Sequence, residues 1–373
     1  MSSITGLGSL SQLPNILQDV NSGKILIVTG KNSFQACGAS SHFPTILQGR
    51  AAVYFRDFDI NPKIEDAIRG AEFAVEHGIT AIVAIGGGSV IDIAKLIKAL
   101  FNRSSSAEEI ITGSLPVLDP GLPLIAIPTT AGSGSEATHF AVAYIGKEKY
   151  SIADQCLLPV HHILDGSLTL SASPEQRASN VLDAISQAIE SVWAVGATDL
   201  SRKFALEALR LGLKSFRPYV LEKENLHSAQ LMLEAAHLSG IAINISKTTS
   251  AHAWSYGISN RYGVPHGVAV WYTLPKIFKV HAERTLGYRD ADGHRLYSVI
   301  SDLKHVLGMK TSTDILEYFQ ALLSSIGVSA DLTMDLGLSH QERIEISQAV
   351  NKSRMANNPV EFTQAEINWI FNL

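Results

Sequence analysis

Residues 84–95 read AIGGGSVIDIAK, where three glycines separate an apolar, β-rich run from a helical pattern. The run itself, TAIVAIGGG (80–88), has the short, continuous apolar character of a strand buried on both faces. A plain strand-to-helix turn needs one glycine. Three in succession let a backbone approach a pyrophosphate closely, at a helix start whose free N–H groups favour an anion. The stretch is not the common dinucleotide fingerprint, because Ile91 stands where a third spaced glycine or alanine would.

Working outward, KILIVTG (24–30), AAVYF (51–55) and PLIAIPTT (123–130) are further buried-strand candidates. Between AAVYF and TAIVAIGGG, Ile64, Ala67, Ile68, Ala71 and Val75 recur at helical spacing. This alternation predicts a parallel sheet with helices on both faces. HFAVAYIGKEKYSIA (139–153) predicts a hairpin around Gly146. Near residue 173 the pattern changes: SASPEQ offers Ser173 as N-cap, Pro174 at the first helical position and Gln176 in the capping-box place. Helices are then predicted over 179–195, 199–216, 223–242, 266–284, 311–326 and 339–353. The expected organisation is an α/β dinucleotide-binding domain over 1–172 and an all-helical metal and substrate domain over 173–373, with a cleft between them for a ligand.

Composition narrows the function. The chain has 373 residues, 46% hydrophobic and 17% charged, which suits a globular protein with a large core. Its net charge of −5, from 30 basic and 35 acidic residues, gives no basic field for a nucleic acid. Two cysteines, Cys37 and Cys156, support neither a disulfide framework nor a Cys-rich zinc site. No apolar run reaches the ~18 residues of a membrane span, and MSSITGLGSLSQLPNIL lacks the basic and apolar regions of a signal peptide. A cytoplasmic protein with a small-molecule substrate is expected.

Four further stretches carry chemistry. GSGSEA (132–137) fits G-x-G-x-x-A, a weak match alone; the hydroxyl-rich PTTAGSGSEAT around it suits either a cofactor loop or a solvated turn. In VTGKNSF, Gly30 and Lys31 follow the first strand, where nucleotide folds often place an acid against the ribose hydroxyls. Room and a positive charge there favour NADP over NAD, unless Lys31 is a plain surface lysine. In LDAISQAIES (182–191), Asp183 and Gln187 lie one helical turn apart on one face. Carboxylate plus histidine at that spacing reads as half a metal site, but glutamine is a poorer ligand. SKTTSAHAWSYGISNRYGVPHGVAVW (246–271) adds His252 and His266, 14 residues apart. With Asp183 they fit a metal site, and they equally fit satisfied polar residues.

Taken together, GGGSVIDIAK, PTTAGSGSEAT, LDAISQAIES and HAWSYGISNRYGVPHG, in this order and spacing, resemble the iron-containing (group III) alcohol dehydrogenase family over essentially the whole chain. The resemblance implies the dehydroquinate synthase-like arrangement of an α/β dinucleotide-binding domain and an all-α domain. It also implies NADPH or NADH, a divalent metal (Fe²⁺ or Zn²⁺) and a homodimer. The family's ligand positions hold Asp183, Gln187, His252 and His266, so three ligands are kept and one is changed. An amide oxygen should hold the ion less firmly than imidazole. A family histidine linked to proton transfer is Tyr256 here. His252 and Tyr256 are therefore the expected catalytic residues. Gly30, Lys31, Gly86, Gly87, Gly88, Ser89, Asp92, Thr129, Thr130, Ser133 and Lys149 are the expected cofactor-binding ones. The implied reaction is hydride transfer from nicotinamide C4 to an aldehyde whose oxygen the metal polarises.

SKTT…H with glutamine in the second ligand position looks like one branch of that family, the phosphonoacetaldehyde reductases of phosphonate biosynthesis. Their product is 2-hydroxyethylphosphonate. A phosphonate dianion needs fixed cations, and Lys247 and Arg261 flank His252 in sequence. Rival expectations are a reductase of another small aldehyde or polyol, a metal-dependent lyase of the dehydroquinate synthase type, and a nucleotide-binding protein that has lost its metal.

Overall fold

Alternate residues of the central strands are apolar on both sides, and they divide between two cores. Ile25, Ile27, Val83, Ile85, Ile125 and Ile127 pack with Leu13, Leu17, Phe34 and Phe43. Their neighbours Leu26, Val28, Ile82, Ala84, Leu124 and Ala126 pack with Ala67, Ile93 and Leu96. A two-residue period with no polar face demands helices on both sides of the sheet. The computed structural model, which describes residues 2–20, 22–146, 148–285, 291–310, 312–350 and 352–373, has that architecture.

The strands are β1 (Ser2–Thr5), β2 (Ile25–Thr29), β3 (Ala52–Phe55), β4 (Ala81–Gly86), β5 (Leu124–Pro128), β6 (Phe140–Ile145), β7 (Glu148–Ala153) and β8 (His161–Leu164). Six form one sheet in the order β1-β8-β5-β4-β2-β3, with every pairing parallel. The chain runs from β2 out to β3, then returns past β2 to β4, so the strand order reverses between β2 and β4. In open α/β sheets that reversal, at the carboxyl ends of the strands, is where ligands bind. The four predicted strands are β2 to β5. The predicted hairpin is the antiparallel pair β6 and β7, in register at Val142 and Ser151; residue 147 of its turn lies outside the described residues. β1 and β8 were not anticipated. SSIT and HHIL are too short and polar to announce strands, and it is pairing with neighbours that makes them so.

The predicted N-cap is present: the Ser173 hydroxyl accepts from Gln176 N, opening helix Pro174–Trp193. Helices Asp199–Leu221, Leu226–Ser246, Ile315–Ser324 and His340–Gln348 correspond to predicted ones; Thr311 and Asn351, at the edges of two predictions, lie outside the described residues. The single helix expected over 266–284 is instead two, His266–Trp271 and Leu274–Arg284, because Pro275 cannot continue a helix but suits a first turn. Helices Ser250–Tyr262 and Ala291–Leu307 were not predicted.

Two compact units result: 1–172 with 224–240, and 173–223 with 241–373. Residues 224–240, grouped by the sequence reading with the helical half, pack instead on the loops of the sheet. Gln230 donates to Leu164 O (3.1 Å) and accepts from Gly166 N (2.8 Å), and His237 Nδ1 meets Glu136 Oε1 at 3.2 Å. Gly134 and Gly240 touch backbone to backbone. Helical periodicity shows that a segment has an apolar face and says nothing of which core receives it. Among the described residues no helix is long and apolar enough to cross a membrane.

Candidate functional site

Helix Pro174–Trp193 carries Asp183, Gln187 and Glu190 at positions i, i+4 and i+7, one stripe of its surface. Helix Ser250–Tyr262 brings His252 to that stripe and helix His266–Trp271 brings His266. The approach of the last helix depends on Gly267. A Cβ there would lie 1.8 Å from Ser179 O and 2.9 Å from Asp183 N. Gly267 N donates to Ser179 Oγ (3.2 Å) and Trp271 Nε1 to Leu182 O (2.8 Å), which fixes the contact.

Asp183 Oδ1 consequently lies 3.3 Å from His252 Nε2 and 3.9 Å from His266 Nε2. One ligand atom from each of the three residues falls within 4.8 Å of the others. Two imidazole nitrogens and a carboxylate oxygen form a donor set suited to Zn²⁺ or Fe²⁺, so these residues fit the implied ion. Gln187 is buried beside them and hydrogen-bonds the Asp183 carboxylate.

Glu190, which the sequence reading passed over, holds the arrangement from behind. It is fully buried, and Oε1 accepts from Thr249 Oγ1 (2.7 Å), Thr249 N (3.3 Å) and Ala251 N (2.9 Å). Its other oxygen bonds His252 Nδ1, which leaves Nε2 directed at Asp183. A carboxylate on the far nitrogen fixes both tautomer and ring orientation of a metal-binding histidine. Burial opposes charge on His252, but Glu190 and Asp183 outweigh it and lift the imidazole to about 9 in the protein alone. Against their own burial, His252 and His266 with Gln187 hold Asp183 below the usual carboxylate range, and His252 with Thr249 does the same for Glu190. The one local signal for Glu190 was its place three residues after Gln187 on the same face.

Tyr256 follows His252 by one turn and stacks on His266, with ring centroids 5.6 Å apart and planes 10° from parallel. The Arg354 guanidinium lies 5.6 Å from the Tyr256 ring and donates to Thr248 Oγ1. Arg354 was not singled out in sequence, since nothing near it carries a motif. The two cations that were singled out stand differently. Arg261 is ion-paired with Glu345 (2.6 Å), and Lys247 is exposed at the end of helix Leu226–Ser246 with φ of 60°. Among the described residues neither contacts the three ligands.

In the sheet unit, the loops after β4 and β5 touch. Cβ atoms on Gly87 and Gly88 would meet the Thr130 side chain at 3.2 Å and Ser133 Oγ at 2.8 Å, and Thr129 N donates to Gly86 O (3.0 Å). Gly30 follows β2 and faces Val90, with Ser89 half-buried beside it in sequence and Lys31 exposed. Gly30, Gly86 to Gly88, Thr129, Thr130 and Ser133 thus gather at the strand-order reversal. Helix Gly88–Leu100 opens there, presenting backbone N–H groups. Asp92 was expected at the cofactor, but its carboxylate is turned to Ser135 Oγ (2.7 Å) and Val142 N (3.3 Å), with the Lys149 charge nearby. Lys95 Nζ donates to the carbonyls of Ser135, Thr138 and Phe140 at 2.7–2.8 Å. Burial draws that ammonium down to about 8, with Asp92 and Glu136 opposing. Asp92 and Lys95 clamp the 133–140 loop onto the helix.

A model of iron-containing alcohol dehydrogenases matches residues 2–166, and one of the C-terminal part of the Fe-containing alcohol dehydrogenase family matches 177–372. Long-chain-alcohol dehydrogenase 1 of Geobacillus thermodenitrificans is 25% identical over 372 residues, 98% of this chain and 93% of its own. Sulfoacetaldehyde reductase of Bilophila wadsworthia is 24% identical over 341 residues, 88% of this chain and 86% of its own. The crystal structure of sulfoacetaldehyde reductase from Bifidobacterium kashiwanohense in complex with NAD⁺ is similar with a TM-score of 0.84 at 27% identity, covering 100% of this chain and 96% of that one. The ligand cluster, the glycine loop at the strand reversal and these matches agree: the chain belongs to the iron-containing alcohol dehydrogenase family, oxidoreductases that interconvert alcohols and aldehydes with a nicotinamide cofactor and a metal.

Proposed function

We propose that the chain reduces phosphonoacetaldehyde to 2-hydroxyethylphosphonate with NADPH. The observation that carries this reading is the Arg354 guanidinium over the Tyr256 ring, which in turn stacks on His266. A cation one aromatic ring away from a metal ligand suits a short aldehyde with an anionic tail. The relatives named as sulfoacetaldehyde reductases support it, because their substrate is a two-carbon aldehyde with a sulfonate in the place of the phosphonate.

Asp183, His252 and His266 would hold the ion, with Gln187 steadying Asp183 and Glu190 orienting His252. The metal would polarise the aldehyde oxygen and the dihydronicotinamide would supply hydride. Tyr256 donates the proton to the nascent alkoxide from its place beside His266. Arg354 meets the phosphonate with charge-assisted bonds, and Lys247 adds positive potential at the same segment. Arg261 contributes less, being held by Glu345. Gly30 and Lys31, with no acid after β2, support NADPH.

The test compares phosphonoacetaldehyde, sulfoacetaldehyde and propanal as substrates, with and without Fe²⁺ or Zn²⁺. Arg354→Ala should raise KM for phosphonoacetaldehyde about 10–100-fold, the effect of losing one or two hydrogen bonds to a charged group. Propanal kinetics should hardly change. An equal effect on both aldehydes would reduce the reading to a generic aldehyde reductase.

A further inference from the structure

We infer that Arg56 and Lys31 form the pocket for the 2′-phosphate of NADPH, an inference that rests on the NADPH reading above. β2 and β3 pair in register at Val28 and Phe55, so the next residues along, Thr29 and Arg56, stand at the same level at the carboxyl end of the sheet. Gly30 and Lys31 follow at once. This is the edge of the strand-order reversal, on the side where an α/β nucleotide fold meets the adenine ribose.

The side chain of Arg56 rests against two aromatic rings, and its Nε has no hydrogen-bond partner. Its guanidinium carbon lies 4.7 Å from the Tyr54 ring and 5.6 Å from the Phe34 ring. Tyr54 points to the same side of β3 two residues earlier, and Phe34 belongs to the short helix Ser33–Ala36 just after Lys31. Arg56 is therefore braced between its own strand and the turn that carries Gly30 and Lys31. Stacking engages the flat face of a guanidinium and leaves its in-plane donors for an acceptor. Nε is buried with no hydrogen-bond partner, and among the described residues the group makes no ion pair.

Nearby carboxylates do not answer this charge. Asp57 is tied to Arg69 (3.4 Å), which also donates to Asp57 O at 2.9 Å, and Asp59 is tied to Lys63 (2.8 Å). Lys31 likewise has no ion pair among the described residues, although its charge reaches Asp59, whose first partner is Lys63. Two cations outside any ion pair among the described residues, beside a glycine where an acid would repel phosphate, recognise a phosphomonoester dianion. A planar fork on an aromatic shelf suits it better than a lone ammonium would.

Calorimetric titration of the full chain with 2′,5′-ADP and with 5′-AMP isolates the 2′-phosphate, the only difference between the two ligands. The wild type should bind 2′,5′-ADP about 10–100-fold more tightly. Arg56→Gln should lose most of that margin while keeping its affinity for 5′-AMP, and Arg56→Lys should retain part of it. A margin that survives in Arg56→Gln overturns the assignment of Arg56 and leaves the NADPH reading standing. Equal loss of both ligands in Arg56→Gln also overturns it, since the residue would then only support the fold. If the wild type itself shows no margin, the NADPH reading fails and the pocket with it.

Discussion

His252 lies between two carboxylates, one on each ring nitrogen, and the two have different work. Asp183 faces Nε2 and shares the ligand cluster with it, whereas Glu190 faces Nδ1 and ties it to the backbone at the start of helix Ser250–Tyr262. Glu190→Gln keeps the shape and one accepting oxygen but removes the charge that orients the imidazole. Metal affinity should fall about 10–100-fold, read by competition with a chelator. Unchanged affinity would show that Glu190 serves the helix start alone.

Among the elements, the short helix His266–Trp271 decides the geometry, because it sits against the backbone of helix Pro174–Trp193. Gly267→Ala puts a methyl group where Ser179 O already is, so the helix must retreat and carry His266 away from Asp183. Stability should fall by about 1–3 kcal/mol in denaturant titration, and bound metal should be lost. Gly257→Ala is the contrast. It lies inside helix Ser250–Tyr262, next to Tyr256, where a Cβ would meet Ala349 O at an ordinary 3.6 Å. That change should be neutral or gain about 0.5–1 kcal/mol, as alanine does over glycine in a helix. Loss of metal in both variants would mean that the close approach at Gly267 is not what sets the site.

For the molecule as a whole, the three ligands come from three helices of one compact unit, so a bound ion ties that unit together. Ligand at about 100 times its Kd stabilises a fold by about 2.7 kcal/mol. In a unit of this size that is a rise in Tm of about 5–10 °C. Added Fe²⁺ or Zn²⁺ should produce this rise and a chelator should reverse it. His266→Ala should show neither the rise nor turnover. A full rise in His266→Ala would place the ion elsewhere.

Strands β2 to β5, the glycine loop and the first ligand stripe were legible in the chain because each is a short-range pattern. Alternation of two residues puts Ile25 and Leu26 in opposite cores, and a spacing of four puts Asp183 and Gln187 on one face, whatever the rest of the molecule does. The motifs then reached the family through their order. What those patterns omit is the partner of each face. Glu190 gains its role from Thr249 and His252, Arg354 from Tyr256, and Arg56 from a phenylalanine on another strand's turn. Residues 224–240 carry a helical pattern yet group with the unit that contains the sheet, and Arg261, nine residues after His252 in sequence, turns to Glu345 instead. Local periodicity directs a side chain to one side of its own element. Only packing between distant segments determines which charge, ring or carbonyl waits there, because that depends on contacts no window of neighbouring residues contains.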